Sequence, residues 1–371
     1  MEGLVIWAHS YCRSTLAFYR GLGCYWQVPM KIFIYEKMAA YRQKTGFSEN
    51  EFADMDITYV NNVDETVSIL HKYKNWNHLF GAYQNNLVYK TLMLECHRNG
   101  IRYAICSESP CNMTPFPKRI LKFIYMNLFL RYKVKKQVQY SDFIINYSGN
   151  DNKYLKRIGW SKNKIIACGY YSPPIINSIC KKRGIENWNQ FTILLTGLHQ
   201  WHRSPMTLLK ALHELDKRGV KYVCNITQEG ALFSKMKSYV QKYNMQNVHL
   251  LGFVPLEKLI ELYQTCSVYV GAGANEPWGM RLNDALQCGA PMLVCSGMGG
   301  NKLVVDYDCG YVFDRHDYRE LSRIIEGLIN DKDDYIRISN NAYEAAKKIE
   351  PNVMSKTIAR YVSSNYKGWQ Y

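Results

Sequence analysis

Short apolar runs alternate with stretches of helical periodicity along the whole chain. In the first half, the stretches 14–22 and 86–100 have the spacing of amphipathic helices, and the second of these ends at a glycine. The apolar runs between such stretches predict strands at 4–8, 31–35, 56–60, 78–82, 101–110, 142–148 and 163–174. Strands that are separated by helices are typical of a parallel, doubly wound sheet.

The same pattern restarts after Pro173-Pro174, with a helix over 206–219 and a helical tail from about 332 to 364. The strands predicted for this half are 191–197, 221–227, 247–253, 267–273 and 291–297. We therefore expect an α/β protein with two Rossmann-like doubly wound domains facing a central cleft. The predicted boundaries are 1–172 for the first domain, 173–190 for a linker, 191–350 for the second domain, and 351–371 for a C-terminal helix that can cross back to the first.

The stretch "ANEPWGMRLNDALQCGAPMLVC" (274–295) has the character of one strand–helix–strand unit. We expect a strand to end near Glu276, a helix to open around Gly279, and the chain to re-enter the sheet at 292–295. In such a unit the ligand lies beyond the carboxyl ends of the strands, beside the helix N-terminus. The carboxylates of Glu276 on the loop and Asp284 on the helix can then bind a ligand with several hydroxyls.

Two further turns follow predicted strands of the second half and are expected to converge on the same crevice. One is "LHQWHRSP", which contains Arg203, and the other contains the backbone amides of 252–254. A cation and a helix N-terminus suit phosphates, carboxylates suit sugar hydroxyls, and backbone groups suit a base. The set is therefore appropriate for a nucleoside diphosphate that carries a sugar.

The combined order of three motifs resembles the retaining glycosyltransferases of family 4. The motifs are "LLTGLHQWHRSPMTLLKA", "LLGFVPLEKLIELY" and "EPWGMRLNDALQCGAPMLVC", with "GMGGNKLV" after them, and they span roughly 190–350. The resemblance implies the two-domain B-type glycosyltransferase fold, with a nucleotide-sugar-binding domain in the second half. It also implies same-face displacement of the nucleotide, which retains the anomeric configuration without an enzyme nucleophile.

Carried over to this sequence, the resemblance implies that Arg203 meets the donor diphosphate, that Glu276 lies near the transferred sugar, and that Asp284 binds the ribose hydroxyls. The residues that it predicts to bind the nucleotide sugar are Gly197, His202, Arg203, Gly252, Phe253, Val254, Gly279, Met280, Arg281 and Asp284.

The chain departs from the family pattern at three positions. Asp284 is shorter than the usual glutamate, Leu198 stands where an arginine is frequent, and Lys302 stands where an acid is common. His199, His202 or Arg281 are the candidates to replace the missing arginine in contacting phosphate.

The first half resembles the family only weakly, as expected of a domain that binds a variable acceptor. His9 ends the first predicted strand, and Glu108 ends the strand at 101–110, where many relatives place a histidine that faces the reacting sugar. We therefore predict that the catalytic residues are Glu276, Glu108 and His9.

The net charge of +16 favours an anionic partner, and 23 lysines and arginines against 12 acids before residue 173 carry most of the surplus. A nucleic-acid-binding protein is the main alternative that this charge raises, since 14% of the residues are aromatic. No nucleic-acid recognition motif accompanies the charge, however, so a nucleic-acid partner is not predicted. An epimerase or a phosphorylase of the same B-type fold remains a further alternative.

The twelve cysteines are scattered singly with no CxxC pair, which favours a reducing cytoplasm over a disulfide framework or a zinc site. The sequence contains no run of about 20 apolar residues, so no transmembrane span is predicted. Two Asp-x-Asp sequences, Asp54–Asp56 and Asp306–Asp308, mimic a metal-binding motif, but neither follows a suitable strand. We therefore predict neither a metal nor another cofactor beyond the nucleotide-sugar donor.

The segment 116–137 combines seven basic residues with many apolar ones and contains no acid. An interfacial helix on anionic lipid has this composition, and so does a core helix with charged ends. On the first alternative the enzyme is peripheral on the inner face of the cytoplasmic membrane, where a polyprenyl-diphosphate-linked glycan can be the acceptor. The resulting expectation is a retaining glycosyltransferase of bacterial surface-polysaccharide assembly (O-antigen, capsule or lipopolysaccharide).

Overall fold

The structure is a computed structural model that describes residues 2–38, 49–82, 87–111, 113–149, 152–176, 180 and 182–370. The chain divides into two compact units. The first unit contains Met1–Pro110, Leu121–Pro173 and Glu350–Tyr371, and the second contains Cys111–Ile120 and Pro174–Ile349.

The first unit is built on a seven-stranded parallel sheet with the order β3-β2-β1-β4-β5-β6-β7. Its strands are β1 (Leu4–Ser10), β2 (Met30–Glu36), β3 (Ile57–Tyr59), β4 (Asn77–Phe80), β5 (Tyr103–Ser107), β6 (Ile144–Asn146) and β7 (Ile165–Ala167). Helices cover both faces, so strands such as β1 are apolar on consecutive residues instead of alternating.

The helices that begin in the first 173 residues are α1 (Arg13–Trp26), α2 (Val63–Lys72), α3 (Leu87–Arg98), α4 (Lys118–Ile124), α5 (Leu130–Tyr140) and α6 (Lys153–Ile158). One π-helical turn, Tyr125–Phe129, joins α4 to α5. Short 3₁₀ turns lie at Glu49–Phe52 and Lys162–Lys164.

The C-terminal helix α15 (Pro351–Asn365) packs on α1 inside the first unit. A Cβ added at Gly21 would lie 2.5 Å from Ser355 Cβ, so the glycine permits the close approach of the two helices. The Ser355 hydroxyl also donates a hydrogen bond to the Phe18 carbonyl at 2.9 Å. Trp369, beyond the helix, is fully buried and donates from Nε1 to Asp142 at 2.7 Å. The tail therefore contributes to the core of the first unit.

The second unit contains a six-stranded parallel sheet with the order β10-β9-β8-β11-β12-β13. Its strands are β8 (Thr192–Leu195), β9 (Val223–Thr227), β10 (Val248–Gly252), β11 (Val268–Gly271), β12 (Met292–Cys295) and β13 (Gly310–Phe313). Its helices are α7 (Ile185–Asn189), α8 (Pro205–Lys217), α9 (Phe233–Lys242), α10 (Leu256–Thr265), α11 (Arg281–Gln287), α12 (Asn301–Tyr307), α13 (Tyr318–Asn330) and α14 (Lys332–Ala346).

The two Rossmann-like, doubly wound sheets expected from the sequence are confirmed. Each sheet reverses its strand order beside its first strand, between β1 and β4 in the first unit and between β8 and β11 in the second. Ligands of open α/β sheets bind outside the carboxyl ends of the strands at this reversal. The strand β13 was not predicted. No helix in the described part of the chain is long and apolar enough to cross a membrane.

Candidate functional site

The first side of the candidate site is the turn that follows β8. Gly197 adopts a left-handed φ of +104°, and the chain continues through the 3₁₀ turn Trp201–Arg203 before α8 starts at Pro205. A Cβ added at Gly197 would lie 2.8 Å from Nη1 of Arg203. The backbone conformation therefore favours glycine here, and a larger residue would also displace the end of the Arg203 side chain.

The guanidinium of Arg203 lies beside the carboxylate of Glu276, with 3.4 Å between Nη2 and Oε1. The Arg203 side chain is 33% exposed and that of Glu276 is 14% exposed. Nη1 of Arg203 makes a long contact of 3.5 Å with the Leu198 carbonyl, and buried Nε has no hydrogen-bond partner among the described residues. A guanidinium normally directs several short N–H bonds at its ligand. Its hydrogen-bonding capacity is therefore largely unused here.

The other side of the site is the loop between β11 and α11. β11 ends at Gly271, five residues before Glu276, so the predicted end of this strand near Glu276 is wrong. Glu276 lies in a short bridge instead, because its N–H donates to the Gly297 carbonyl at 3.2 Å and its carbonyl accepts from Gly299 N–H at 3.1 Å. The carbonyl of His202 accepts a hydrogen bond from Ala274 N–H at 2.8 Å. The turn after β8 and the loop after β11 are therefore joined directly across the reversal of the sheet.

Burial raises the pKa of the Glu276 carboxyl above its ordinary value, and the charge of Arg203 only partly offsets this effect. Burial also lowers the pKa of His202 to about 4, with a further contribution from Arg203. The imidazole of His202 is therefore neutral at neutral pH, and the positive charge on this side of the site belongs to the arginine.

A second arginine lies on α11, which begins two residues after Gly279. Nη1 of Arg281 lies 3.1 Å from Oδ2 of Asp284, one turn further along the helix. Burial opposes the charge of Arg281, but its neighbours Tyr263 and Asp284 outweigh burial and raise its pKa above the ordinary value. A Cβ at Gly197 would be 3.8 Å from Cγ of Arg281, which places this arginine near Arg203.

The turn after β10 belongs to the same edge of the sheet but lies further from Glu276. Two strand spacings of about 4.8 Å separate β10 from β8. Gly252 has a φ of +64°, Phe253 is exposed, and Val254 is buried. The backbone links this turn to the first one, since Gln228 N–H donates to the Gly252 carbonyl and His199 N–H donates to the Glu229 carbonyl.

The structure excludes His199 as a replacement for the missing arginine, and it shows local contacts for Leu198 and Lys302, the other departures from the family pattern. His199 is buried, and its Nε2 lies 2.9 Å from the Thr227 carbonyl, so it does not replace the missing arginine at phosphate. Leu198 is exposed, and its carbonyl lies 3.5 Å from Nη1 of Arg203. Lys302 forms an ion pair with Asp306 on its own helix at 2.5 Å.

His9 and Glu108 lie in the first unit. His9 is the penultimate residue of β1, and its Nε2 is 3.6 Å from Oε1 of Glu36. Glu108 directly follows β5 and is half-buried, and burial together with its charge raises the pKa of Tyr170 well above the ordinary range. The two residues share the carboxyl edge of one sheet, with β4 between their strands.

Aspartates of both Asp-x-Asp sequences form ion pairs with basic side chains. Asp54 contacts Arg20, Asp56 contacts Lys31, and Asp308 contacts Arg337. Within the described residues, no group of three or more histidine, cysteine or acidic side chains has an arrangement that could hold a metal ion.

Two arginines were not predicted from the sequence. Arg315 follows the unpredicted strand β13, and its Nη1 lies 3.0 Å from Oδ1 of Asn275, beside Glu276. Arg183 lies inside the predicted linker, yet it is buried and its guanidinium donates to three carbonyls, of Tyr263, Cys266 and Cys288. Recognition of β13 would have indicated Arg315, whereas no signal in the sequence indicates the burial of Arg183.

Residues 181–345 match the family Glycosyl transferases group 1. An uncharacterized glycosyltransferase of Methanocaldococcus jannaschii is 23% identical over 217 residues, which are 55% of this chain and 60% of that protein. The matched region thus spans less than two thirds of the length of this curated relative.

Two solved structures share the fold over nearly the whole chain. Anabaena Alr3699/HepE, in complex with UDP, has a TM-score of 0.73 at 14% identity and covers 98% of this chain and 100% of its own. The lipopolysaccharide outer core galactosyltransferase WaaB, in its apo form, has a TM-score of 0.69 at 12% identity and covers 98% and 99%. The architecture is therefore the B-type glycosyltransferase fold, and within it residues 181–345 match the family Glycosyl transferases group 1.

Proposed function

We propose that the protein is a retaining glycosyltransferase that transfers a sugar from a nucleoside diphosphate sugar to a glycan acceptor. The observation that carries the proposal is the guanidinium of Arg203, which is held at the sheet reversal with most of its donors unused. A diphosphate offers the paired oxygens that such a donor group requires. Glu276, which lies next to it, is then placed to accept hydrogen bonds from the hydroxyls of the sugar.

The donor side of the proposal has two arginines. Arg203 and Arg281 both lie near Gly197, so their charges can act on the same diphosphate. Asp284 is engaged by Arg281 and therefore orients this second cation in addition to any contact with ribose. The crystallised complex of Anabaena HepE with UDP supports a uridine nucleotide as the first donor to test.

In the proposed reaction, a hydroxyl of the acceptor attacks the anomeric carbon while the bond from that carbon to the diphosphate oxygen breaks. Negative charge grows on the leaving diphosphate, where Arg203 and Arg281 stabilise it. The proton of the attacking hydroxyl passes to an oxygen of the leaving phosphate on the same face of the sugar. Because two guanidinium groups supply the positive charge, we propose that the transfer does not require a metal ion.

The acceptor side of the proposal rests on the first unit. We propose that His9 and Glu108, which share one edge of its sheet, contact the acceptor or the transferred sugar. WaaB is an outer core galactosyltransferase of lipopolysaccharide, which supports a lipid-linked glycan of bacterial surface-polysaccharide assembly as the acceptor class.

Turnover with a panel of UDP-, GDP- and dTDP-sugars tests the proposal, with lipid-linked glycan acceptors and product analysis by NMR. The expected product keeps the anomeric configuration of the donor, and chelation of divalent metals leaves the rate unchanged. The Arg203→Met variant should lose most of the rate, whereas Arg323→Met, an exposed arginine on α13, should retain it. Inversion of configuration would contradict the retaining mechanism. Conversion of the donor sugar without an acceptor would indicate an epimerase, and a requirement for inorganic phosphate would indicate a phosphorylase.

A further inference from the structure

The segment Leu121–Lys136 of the first unit has an unusual concentration of exposed large apolar side chains. We call the outward side of this segment the basic apolar face. Leu121 is 71% exposed, Leu128 is 59% exposed and Tyr132 is 78% exposed. The exposed apolar residues of the segment are Leu121, Phe123, Ile124, Leu128, Phe129 and Tyr132. Scattered single apolar residues are normal on a surface, but a contiguous group marks an interaction site.

The spacing of these residues separates two sides of one helical segment. Met126, Leu130 and Val134 recur every four residues and are buried, so they attach the segment to the first unit. The exposed residues Leu121, Ile124, Leu128 and Tyr132 recur after three, four and four residues, which is the period of the opposite side. The alternative of a core helix with charged ends therefore explains only the buried side.

The charges of the segment all have one sign. Lys122, Arg131, Lys133, Lys135 and Lys136 lie between and beside the exposed apolar residues, and 121–136 contains no aspartate or glutamate. Arg131, Lys133, Lys135 and Lys136 are exposed, so their charges reach the solvent around the apolar side chains.

We infer that the basic apolar face docks on the surface of an anionic lipid bilayer. Amphipathic helices of this kind bury their apolar side chains at the boundary of headgroups and acyl chains while their cations meet anionic headgroups. Nucleic acid would satisfy the cations but would leave exposed Leu121 and Leu128 without a partner. A second copy of the same face would bring two sets of cations together and repel.

The two components of the surface predict two separable contributions to binding. Each lysine near an anionic surface strengthens membrane partition by about fivefold. The double variant Lys135→Gln/Lys136→Gln should therefore weaken partition by about 25-fold. The double variant Leu121→Gln/Leu128→Gln should also weaken partition, and unlike the lysine contribution its effect should persist at high salt.

Sedimentation with vesicles tests the inference on the full-length protein. We expect the protein to sediment with vesicles of equal parts phosphatidylglycerol and phosphatidylethanolamine, to be released by high salt, and to stay in solution with phosphatidylcholine vesicles. The matched control for charge is Lys332→Gln/Lys356→Gln, and the control for apolar surface is Val305→Gln, since all three residues are exposed elsewhere. The controls should bind like the wild type, and thermal melting should show that every variant is folded.

Several results would overturn the inference. They are equal sedimentation with phosphatidylcholine, no effect of either double variant, or an equal effect of the controls. Salt-sensitive retention of RNA that depends on Lys135 and Lys136 would assign the face to nucleic acid, and self-association abolished by Leu121→Gln/Leu128→Gln would assign it to a second copy. The measurement uses no donor or acceptor, so its outcome is independent of the proposed activity.

Discussion

Replacement of Glu276 by glutamine is expected to stabilise the ligand-free protein at neutral pH while it lowers activity. Two opposing effects act on this carboxylate in the native structure. At an effective dielectric constant of about 20, charges 3.4 Å apart attract by about 5 kcal/mol. Removal of a carboxylate from water costs several kcal/mol. The raised pKa of Glu276 indicates that the cost of burial exceeds the attraction of Arg203.

The expected gain depends on pH with a definite sign. Because the pKa of Glu276 is higher in the folded than in the unfolded state, its contribution to stability is greatest below the unfolded value of 4.5 and is lost as the pH rises through the folded value. A glutamine side chain does not ionise over that range, so the variant loses no stability there. It should melt at a higher temperature than the wild type at pH 7 and at the same temperature near pH 4. A gain of about 1 kcal/mol corresponds to about 2–4 °C for a domain of this size.

Thermal melting from pH 4 to pH 8 measures the difference, and Glu214→Gln provides the control. Glu214 is half-buried, and a hydrogen bond from Lys217 lowers its pKa. Its contribution is therefore present above the unfolded pKa and lost as the pH falls, so its replacement should lower the melting temperature slightly at pH 7. A Glu276→Gln variant that melts at a lower temperature than the wild type at pH 7 would refute the reasoning. A difference in melting temperature that does not vary with pH would also refute it.

Three further predictions concern the surroundings of the site. Arg183→Met should destabilise the protein by about 3 kcal/mol in urea titration, because three buried carbonyls lose their donor, and a loss under about 1 kcal/mol would contradict this role. Gly197→Ala should weaken binding of UDP in calorimetry, since its Cβ would displace the guanidinium of Arg203, and unchanged binding would show that the arginine is not held there. Burial lowers the pKa of both His199 and His202 to about 4, so the stability that the two neutral rings contribute should be lost as the pH falls from 6.5 to 4. Melting of a His199→Gln/His202→Gln variant should lack this loss, and an equal loss would contradict the buried, neutral state of the two rings.

The strands of both sheets could be predicted because helices cover both faces and force continuous apolar runs. Strand β13 was missed although its sequence, GYVF, is a short apolar run like those of the predicted strands, so a run of this length is not by itself a sufficient signal. The convergence of Arg203 and Glu276 was also predictable, since both follow strands at the reversal of the second sheet. Prediction of the two residues as neighbours required only the topology and not the side-chain packing.

The remaining features depend on packing that a sequence does not display. Residues 116–137 suited a core helix and a surface helix equally, and only the burial of one side and exposure of the other distinguishes them. The pair of Arg281 with Asp284 had the right spacing for one helix, but both residues were also candidates for direct ligand contact. Whether these side chains pair with each other or contact a ligand depends on distances of a few ångströms, which the sequence does not show.

Calorimetric titration of UDP and GDP into the wild type, Arg203→Met and Arg323→Met tests the donor site most directly. We expect the wild type to bind one of the two nucleotides. Charge-assisted hydrogen bonds contribute about 1.5–3 kcal/mol, so Arg203→Met should bind about 10- to 150-fold more weakly, whereas Arg323→Met should bind like the wild type. Failure of the wild type to bind either nucleotide, or equal affinity of the wild type and Arg203→Met, would contradict the proposal that the turns after β8 and β11 form a diphosphate site.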